Sequence, residues 1–153
     1  MNQHQPCMLL LNDIHISKDN IPDFSLNWNE ALSHCKRLDI HTIVLGGDLF
    51  FSRSAQTLDV LLAAAKLNID VILANGNHDL VNREAVRGYC HVFDQHDNVL
   101  VIDEYHTLSN PEWSFMLHVI PYFPEDGSFV EKLDEVILNE VSTGKLNYLY
   151  IHE

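Results

Sequence analysis

The chain has 153 residues, of which 46% are hydrophobic and 20% charged. That is enough chain for one domain with a core of its own, and the composition excludes a disordered, collagen-like or coiled-coil protein. Acidic residues number 22 against 9 basic ones, a net charge of −13. Such a surface repels nucleic acid and anionic lipid at long range, so a phosphate substrate needs local positive charge, which a bound metal can supply.

In chain order, short apolar runs alternate with amphipathic stretches. Residues 7–11 predict a buried strand. Residues 25–38 predict a helix with Leu26, Ala31, Leu32, Cys35 and Leu38 toward one face. Residues 40–45 predict a second strand, 57–67 an Ala/Leu-rich helix and 70–74 a third strand. Residues 82–93 predict a helix that Asn82 is able to cap. Further strands are expected at 99–102 and 113–120, after which Pro121 and Pro124 interrupt the chain. Ser128 and Glu131 fit a capping box for a helix ending near Val141, and 146–151 predict a last strand.

Strands alternating with helices imply crossover units and a largely parallel sheet. The expected class is therefore α/β, and ligands in such sheets bind beyond the carboxyl ends of the strands. Asn12-Asp13-Ile14-His15 follows the first strand, Gly46-Gly47-Asp48 the second, Asn75-Gly76-Asn77-His78-Asp79 the third, and His152 the last. Side chains two apart on an extended segment point the same way, so Asp13 and His15 are able to hold one ion together. Each fragment alone is commonplace in turns. Their combination at four strand ends points to a metal site of carboxylate, carboxamide and imidazole, a donor set that suits manganese, iron or zinc. One carboxylate shared by two divalent ions makes a pair that clamps a phosphate.

The motifs Asp13-Ile14-His15, Gly47-Asp48, Gly76-Asn77-His78-Asp79 and His152 resemble the calcineurin-like metallophosphoesterase superfamily. Gly47-Asp48-Leu49-Phe50 and Val119-Ile120-Pro121-Tyr122 look most like the nuclease subunit of SbcCD-type exonucleases and related phage recombination nucleases. The resemblance implies a layered α/β sandwich with mostly parallel strands, and residues 1–153 as the first part of the family's catalytic domain. It implies that Asp13 and His15 bind the first metal, that Asp48 bridges both ions, and that Asn77 and His152 bind the second. His78 would sit beside the phosphate as the catalytic imidazole, with Asp79 orienting it. The cofactor expected is two divalent ions, manganese first. The reaction expected is phosphodiester hydrolysis, most of all of DNA. An ATPase partner of the SbcC type is implied, and association of two copies of the chain is the other partnership considered.

Two departures accompany the resemblance. Phe51 stands where the nucleases have an aspartate. The family's late Gly-His-x-His motif does not occur before Glu153, which leaves each ion three of its usual four protein ligands. The competing readings are a non-catalytic fragment or interaction subunit, and a phosphoesterase acting on small diesters or nucleotides.

Other residues read as structural. His34, His41, His106 and His118 are expected in packing roles, and His91 and His96 in solvent. Trp28 and Trp113 are expected as packing residues, and Glu131, Asp134, Glu135 and Glu140 as a solvated helix face. Arg53, Arg83 and Arg87 follow the motifs and are within reach of substrate phosphates or simply on the surface. Cys7, Cys35 and Cys90 are odd in number and lack a CxxC spacing, so reduced thiols in the cytoplasm are expected. No apolar run approaches the ~20 residues that span a bilayer, so no membrane partner is expected. The first eleven residues contain no basic residue and do not read as a secretory signal.

Overall fold

The computed structural model describes residues 7–54, 56–66, 68–81, 88–123, 128–141 and 144–152. Its first half is a run of crossovers. Strand β1 (Met8–Leu11), helix α1 (Ile21–Leu38), β2 (Thr42–Gly46), helix α2 (Leu58–Ala64), β3 (Asp70–Ala74), a 3-10 helix (Tyr89–Phe93) and β4 (Val99–Ile102) follow one another. The four strands form one parallel sheet in the order β1-β2-β3-β4. Both faces are covered over β2 and β3, which is why these two strands read as unbroken apolar runs. Ile43, Leu45, Val71 and Leu73 point to the helix side, where they pack with Phe24, Trp28, Cys35 and Val60. Val44, Ile72 and Ala74 point to the other side.

That other side is closed by a second sheet, formed by β5 (His106–Leu108), β6 (Phe115–Ile120) and β7 (Leu146–Ile151). β5 is antiparallel to β6, and β7 is parallel to it. Phe115, Leu117 and Val119 of β6 face the first sheet, and Tyr150 packs against the same cluster. Between β6 and β7 run helix α3 (Ser128–Glu135), which lies against β6, and a π-helical turn (Val136–Glu140). The architecture is α/β, as the alternation implied, with helices, parallel sheet and second sheet in layers.

Several boundaries depart from expectation for local reasons. α1 starts at Ile21 because Pro22 occupies the first turn, where its missing N–H costs nothing. Its buried stripe is Phe24, Trp28 and Cys35, while Leu26 is exposed. α2 begins after Thr57, whose side chain accepts from the Val60 N–H, and ends at Ala64. The segment Tyr89–Phe93 is a 3-10 helix that buries Cys90 and Phe93, three residues apart, the spacing that eclipses in such a helix. The rest of that expected helix, with Asn82, Arg83 and Arg87, lies outside the described residues. So do Pro124, the last residue of the expected α2 (Leu67), Glu153, and the side chains of Ser128 and Glu140. β5 has only three residues and no alternation, so nothing in the sequence announced it.

Candidate metal centre

The site forms where the carboxyl ends of β1, β2 and β3 meet the end of β7. Beyond β1 and β2 the two chains stay zipped. His15 N donates to Asp48 O at 3.0 Å, Ile16 N to Leu49 O at 2.8 Å, and Phe51 N to Ile16 O at 3.0 Å. Three candidate ligands have left-handed backbones: Asp13 at φ 52°, His15 at φ 51° and Asp48 at φ 50°. Non-glycine residues seldom adopt this conformation, and it concentrates at functional sites. Gly47 is required beside them. Its φ is +92°, and a Cβ there would lie 2.4 Å from His152 Nδ1.

Asp48 is the hub and is 5% exposed. Its Oδ1 accepts from the His78 backbone N–H at 2.9 Å. His152 Nε2 lies 3.5 Å from Oδ1. His15 Nε2 and His78 Nε2 lie 3.9 and 4.0 Å from Oδ2. Burial pushes the Asp48 carboxyl up, but the His152 hydrogen bond, the His78 N–H and the two imidazole charges outweigh it and hold it below the usual carboxylate value. Conversely, the Asp48 hydrogen bond, against the opposing effect of burial, raises the His152 imidazole.

Two three-residue clusters share Asp48. In one, donor atoms of His15, Asp48 and His78 lie within 4.8 Å of one another; in the other, those of Asp13, Asp48 and His152 do. The expected pairing placed Asp13 and His15 on one ion, with His78 beside the phosphate. Asp13 and His15 remain close, at 3.9 Å. Asn77 joins the group from the β3 loop, 3.4 Å from His152 Nε2. The carboxamide atom that faces Asp48 lies 3.2 and 3.3 Å from its two oxygens. As an NH2 it donates to both; as an oxygen it makes an acceptor–acceptor contact that a cation relieves.

Backbone carbonyls fix two of the imidazoles. His152 Nδ1 lies 2.9 Å from the Gly46 carbonyl, and His78 Nδ1 hydrogen-bonds the Phe51 carbonyl. A carbonyl only accepts, so each Nδ1 carries the proton, and in the neutral ring each Nε2 presents a lone pair toward Asp48. Metal-binding histidines are tied down in this way. His15 Nδ1 is buried without a partner. Carboxylates, imidazoles and an amide converging on one point fit a divalent cation of the manganese, iron or zinc kind.

Asp79 was expected to orient the His78 ring; among the described residues the Phe51 carbonyl holds that ring, and the Asp79 carboxylate bonds to backbone N–H groups. Asp79 is wholly buried. It accepts from Phe50 N at 2.9 Å, Gly76 N at 2.9 Å and Leu49 N at 3.3 Å, stapling the β2 loop to the β3 loop. Burial raises its carboxyl to about 6 against these three donors, and the Asp48 charge adds to the rise. The adjoining Cys90 thiol is pushed well above its usual range by burial and then by Asp79.

Some contributors were not foreseen. The Tyr150 hydroxyl hydrogen-bonds the Gly46 carbonyl and reaches Asn12 Oδ1 at 3.0 Å. Burial and then the Asp13 and Asp48 charges push this phenol up to about 12. The alternation Tyr148, Tyr150, His152 was the available signal, because it sets Tyr150 and His152 on one face. Arg53 Nη2 donates to the Asn77 carbonyl at 3.0 Å, bracing the loop that carries His78. Away from the site, His118 is buried and bonded to Thr107 and Asn147. His91, expected in solvent, pairs with Asp103 at 3.1 Å. Glu131, Asp134 and Glu135 are exposed, as expected. Among the described residues no helix is long and apolar enough to cross a membrane.

The layered α/β fold and the shared carboxylate define a metallophosphoesterase-like architecture. The family described as calcineurin-like phosphoesterase matches residues 8–149, and the chain belongs to it. That family's chemistry is hydrolysis of phosphoester bonds. No curated protein matches the chain. Among solved structures it is similar to the nuclease MPE of Pseudomonas putida, at 21% identity and a TM-score of 0.46, covering 78% of this chain and 56% of that one. The chain thus spans little more than half the length of that nuclease.

Proposed function

We propose that the site hydrolyses phosphodiester bonds, with DNA as the substrate, using two divalent cations held around Asp48. The observation that carries this reading is one buried carboxylate, Asp48, that lies within 4.8 Å of donor atoms of His15 and His78 on one side and of Asp13 and His152 on the other. Asp13, His15, Asp48, Asn77 and His152 would hold the cations, with manganese the first choice. Bound there, the pair supplies the charge that clamps a phosphate and makes water a nucleophile near neutral pH. It also answers the electrostatic difficulty of a chain at −13 acting on a polyanion.

The chain's own residues do the rest. The Phe51 carbonyl fixes the His78 ring, so only Nε2 is left to exchange a proton at the site. As an imidazolium, Nε2 donates to a phosphate oxygen or to the departing oxygen, which places His78 as the general acid. Arg53 and Asp79 are positioning residues: they hold the backbone on which Asn77 and His78 sit. An ATPase partner of the SbcC type would supply a basic groove beside this acidic chain, and pairing of two copies is the alternative partnership.

The test is cleavage of an end-labelled DNA strand by manganese-loaded protein, beside His78→Ala. Activity lost by roughly 10²–10⁴-fold in the variant, with its manganese content unchanged, supports the assignment. Cleavage that survives His78→Ala refutes it.

A further inference from the structure

Beside Asp13 a half-open cavity of about 320 Å³ lies between the loop after β1 and the first three turns of α1. We propose that this cavity is a nucleobase subsite, which receives the base attached to the phosphate under attack. The proposal rests on the phosphodiesterase reading above.

Its position comes first. Asp13 belongs both to the cavity wall and to the cluster with Asp48 and His152. A phosphoester held at that cluster would thus lie beside the cavity, with a substituent within reach of it. Its size comes next. The volume lies at the lower end of the range for small-molecule sites, roughly 300–1,000 Å³. A single base with part of its sugar fits; a folded duplex end does not.

The lining decides the chemistry. Phe24 and Trp28 form an apolar wall, stacked with ring centroids 6.0 Å apart and planes at 26°. Asp23 and Asn27, one helical turn apart on α1, stand with Asn12 as its polar groups. The side chains of Asp23 and Asn27 have no partner among the described residues. Among the described residues no lysine, arginine or histidine lines the cavity, and two carboxylates do. With Asp13 engaged by a cation, the Asp23 carboxylate still disfavours an anionic group at the α1 side of the cavity. What remains is a neutral, flat group rich in N–H donors. Carboxylate and carboxamide side chains read the edges of bases, and a carboxylate accepts from an exocyclic amine. Apolar and aromatic walls packed against the base, with polar groups at its edge, are what base-holding pockets provide.

Two measurements test it. In a Trp113→Phe background, Trp28 fluorescence is titrated with adenosine in the absence of metal, with ribose as the control. Saturable quenching by adenosine alone is expected, weakened about fivefold or more in Asn27→Ala, the effect of one lost hydrogen bond, and abolished in Ala31→Phe, which fills the cavity. The second measurement is the ratio of kcat/KM for an adenine-bearing dinucleotide over its abasic analogue, with manganese-loaded protein. A ratio of about tenfold or more that shrinks in Asn27→Ala supports the subsite. Equal rates on the two substrates, with no saturable adenosine binding, overturn it while leaving phosphodiester hydrolysis standing. Saturable adenosine binding with neither substrate cleaved upholds the subsite and overturns the catalytic reading instead.

Discussion

Replacing Gly76 by alanine puts the geometry of the site to a quantitative test. A Cβ at this position would lie 2.2 Å from Asp48 N, 2.2 Å from Asp48 Oδ1 and 2.9 Å from Asp48 Cγ. Two of these atoms belong to the hub carboxylate and one to its backbone, so no flexible side-chain tip can swing away. Restoring even a tight contact of about 3.2 Å demands roughly 1 Å of movement between the β2 and β3 loops. That movement strains the His78 N–H bond to Asp48 Oδ1 and the Gly76 N–H bond to Asp79, each 2.9 Å long. Overpacking of this kind costs about 1–3 kcal/mol. Weakening hydrogen bonds to charged acceptors adds about 1.5–3 kcal/mol for each one lost. We expect Gly76→Ala to lower stability by about 3 kcal/mol or more in urea unfolding. A ligand displaced by 1 Å also predicts roughly a hundredfold loss of turnover in whatever protein remains folded. Gly144→Ala is the control, because no atom of the described residues lies within 4 Å of the added carbon. If Gly76→Ala unfolds at the urea concentration of the wild type and holds manganese as tightly, the reasoning from close approach is refuted.

Asp79 predicts a pH signature in metal-free protein. Its carboxyl is raised from 3.8 to about 6 on folding, so the native state binds this proton more tightly than the unfolded state does. The resulting stability is present below about pH 4 and lost as pH rises through about 6, by up to about 3 kcal/mol. Asp79→Asn removes this dependence, and urea midpoints for the two proteins that run parallel from pH 4 to 7 would contradict it. Manganese binding should release protons, because Asp48 holds the His152 imidazole above its ordinary value while ligation needs a bare Nε2. Affinity therefore falls as pH falls, and calorimetric heats should vary with the ionisation enthalpy of the buffer; identical heats in all buffers would count against it. His118→Leu should cost about 1–3 kcal/mol, since it removes the buried ring that links Thr107 to Asn147. Its manganese content should be unchanged, and a metal deficit would show that this network reaches the site.

The parallel half of the fold was legible because its two inner strands, β2 and β3, are buried on both faces. Apolar runs such as Ile43–Leu45 and Val71–Leu73 permit little else. Residues 70–74, 99–102 and 146–151 were read with the bounds the structure gives. The second sheet was not legible as a separate layer, because the sequence does not record which strands pair, and β5 is held by β6 rather than by its own three residues. The convergence of Asp13, His15, Asp48, Asn77, His78 and His152 could be expected, since each follows a strand and strand ends are where parallel sheets gather their ligands. Which imidazole faces which carboxylate could not, because it turns on backbone carbonyls. Those of Gly46 and Phe51 set the His152 and His78 rings, and a carbonyl leaves no trace in a sequence. Asp79 shows the same limit. Beside His78 in sequence, its carboxylate turns away to backbone N–H groups that only the fold brings within reach.

The central claim is that one buried carboxylate organises two cation sites. The direct measurement is manganese bound per chain after loading and removal of excess metal, with Asp48→Asn beside the wild type. The account predicts close to two ions per chain, with both lost in the variant, because Asp48 belongs to both clusters. One ion or none in the wild type, or two ions that survive in Asp48→Asn, would contradict it.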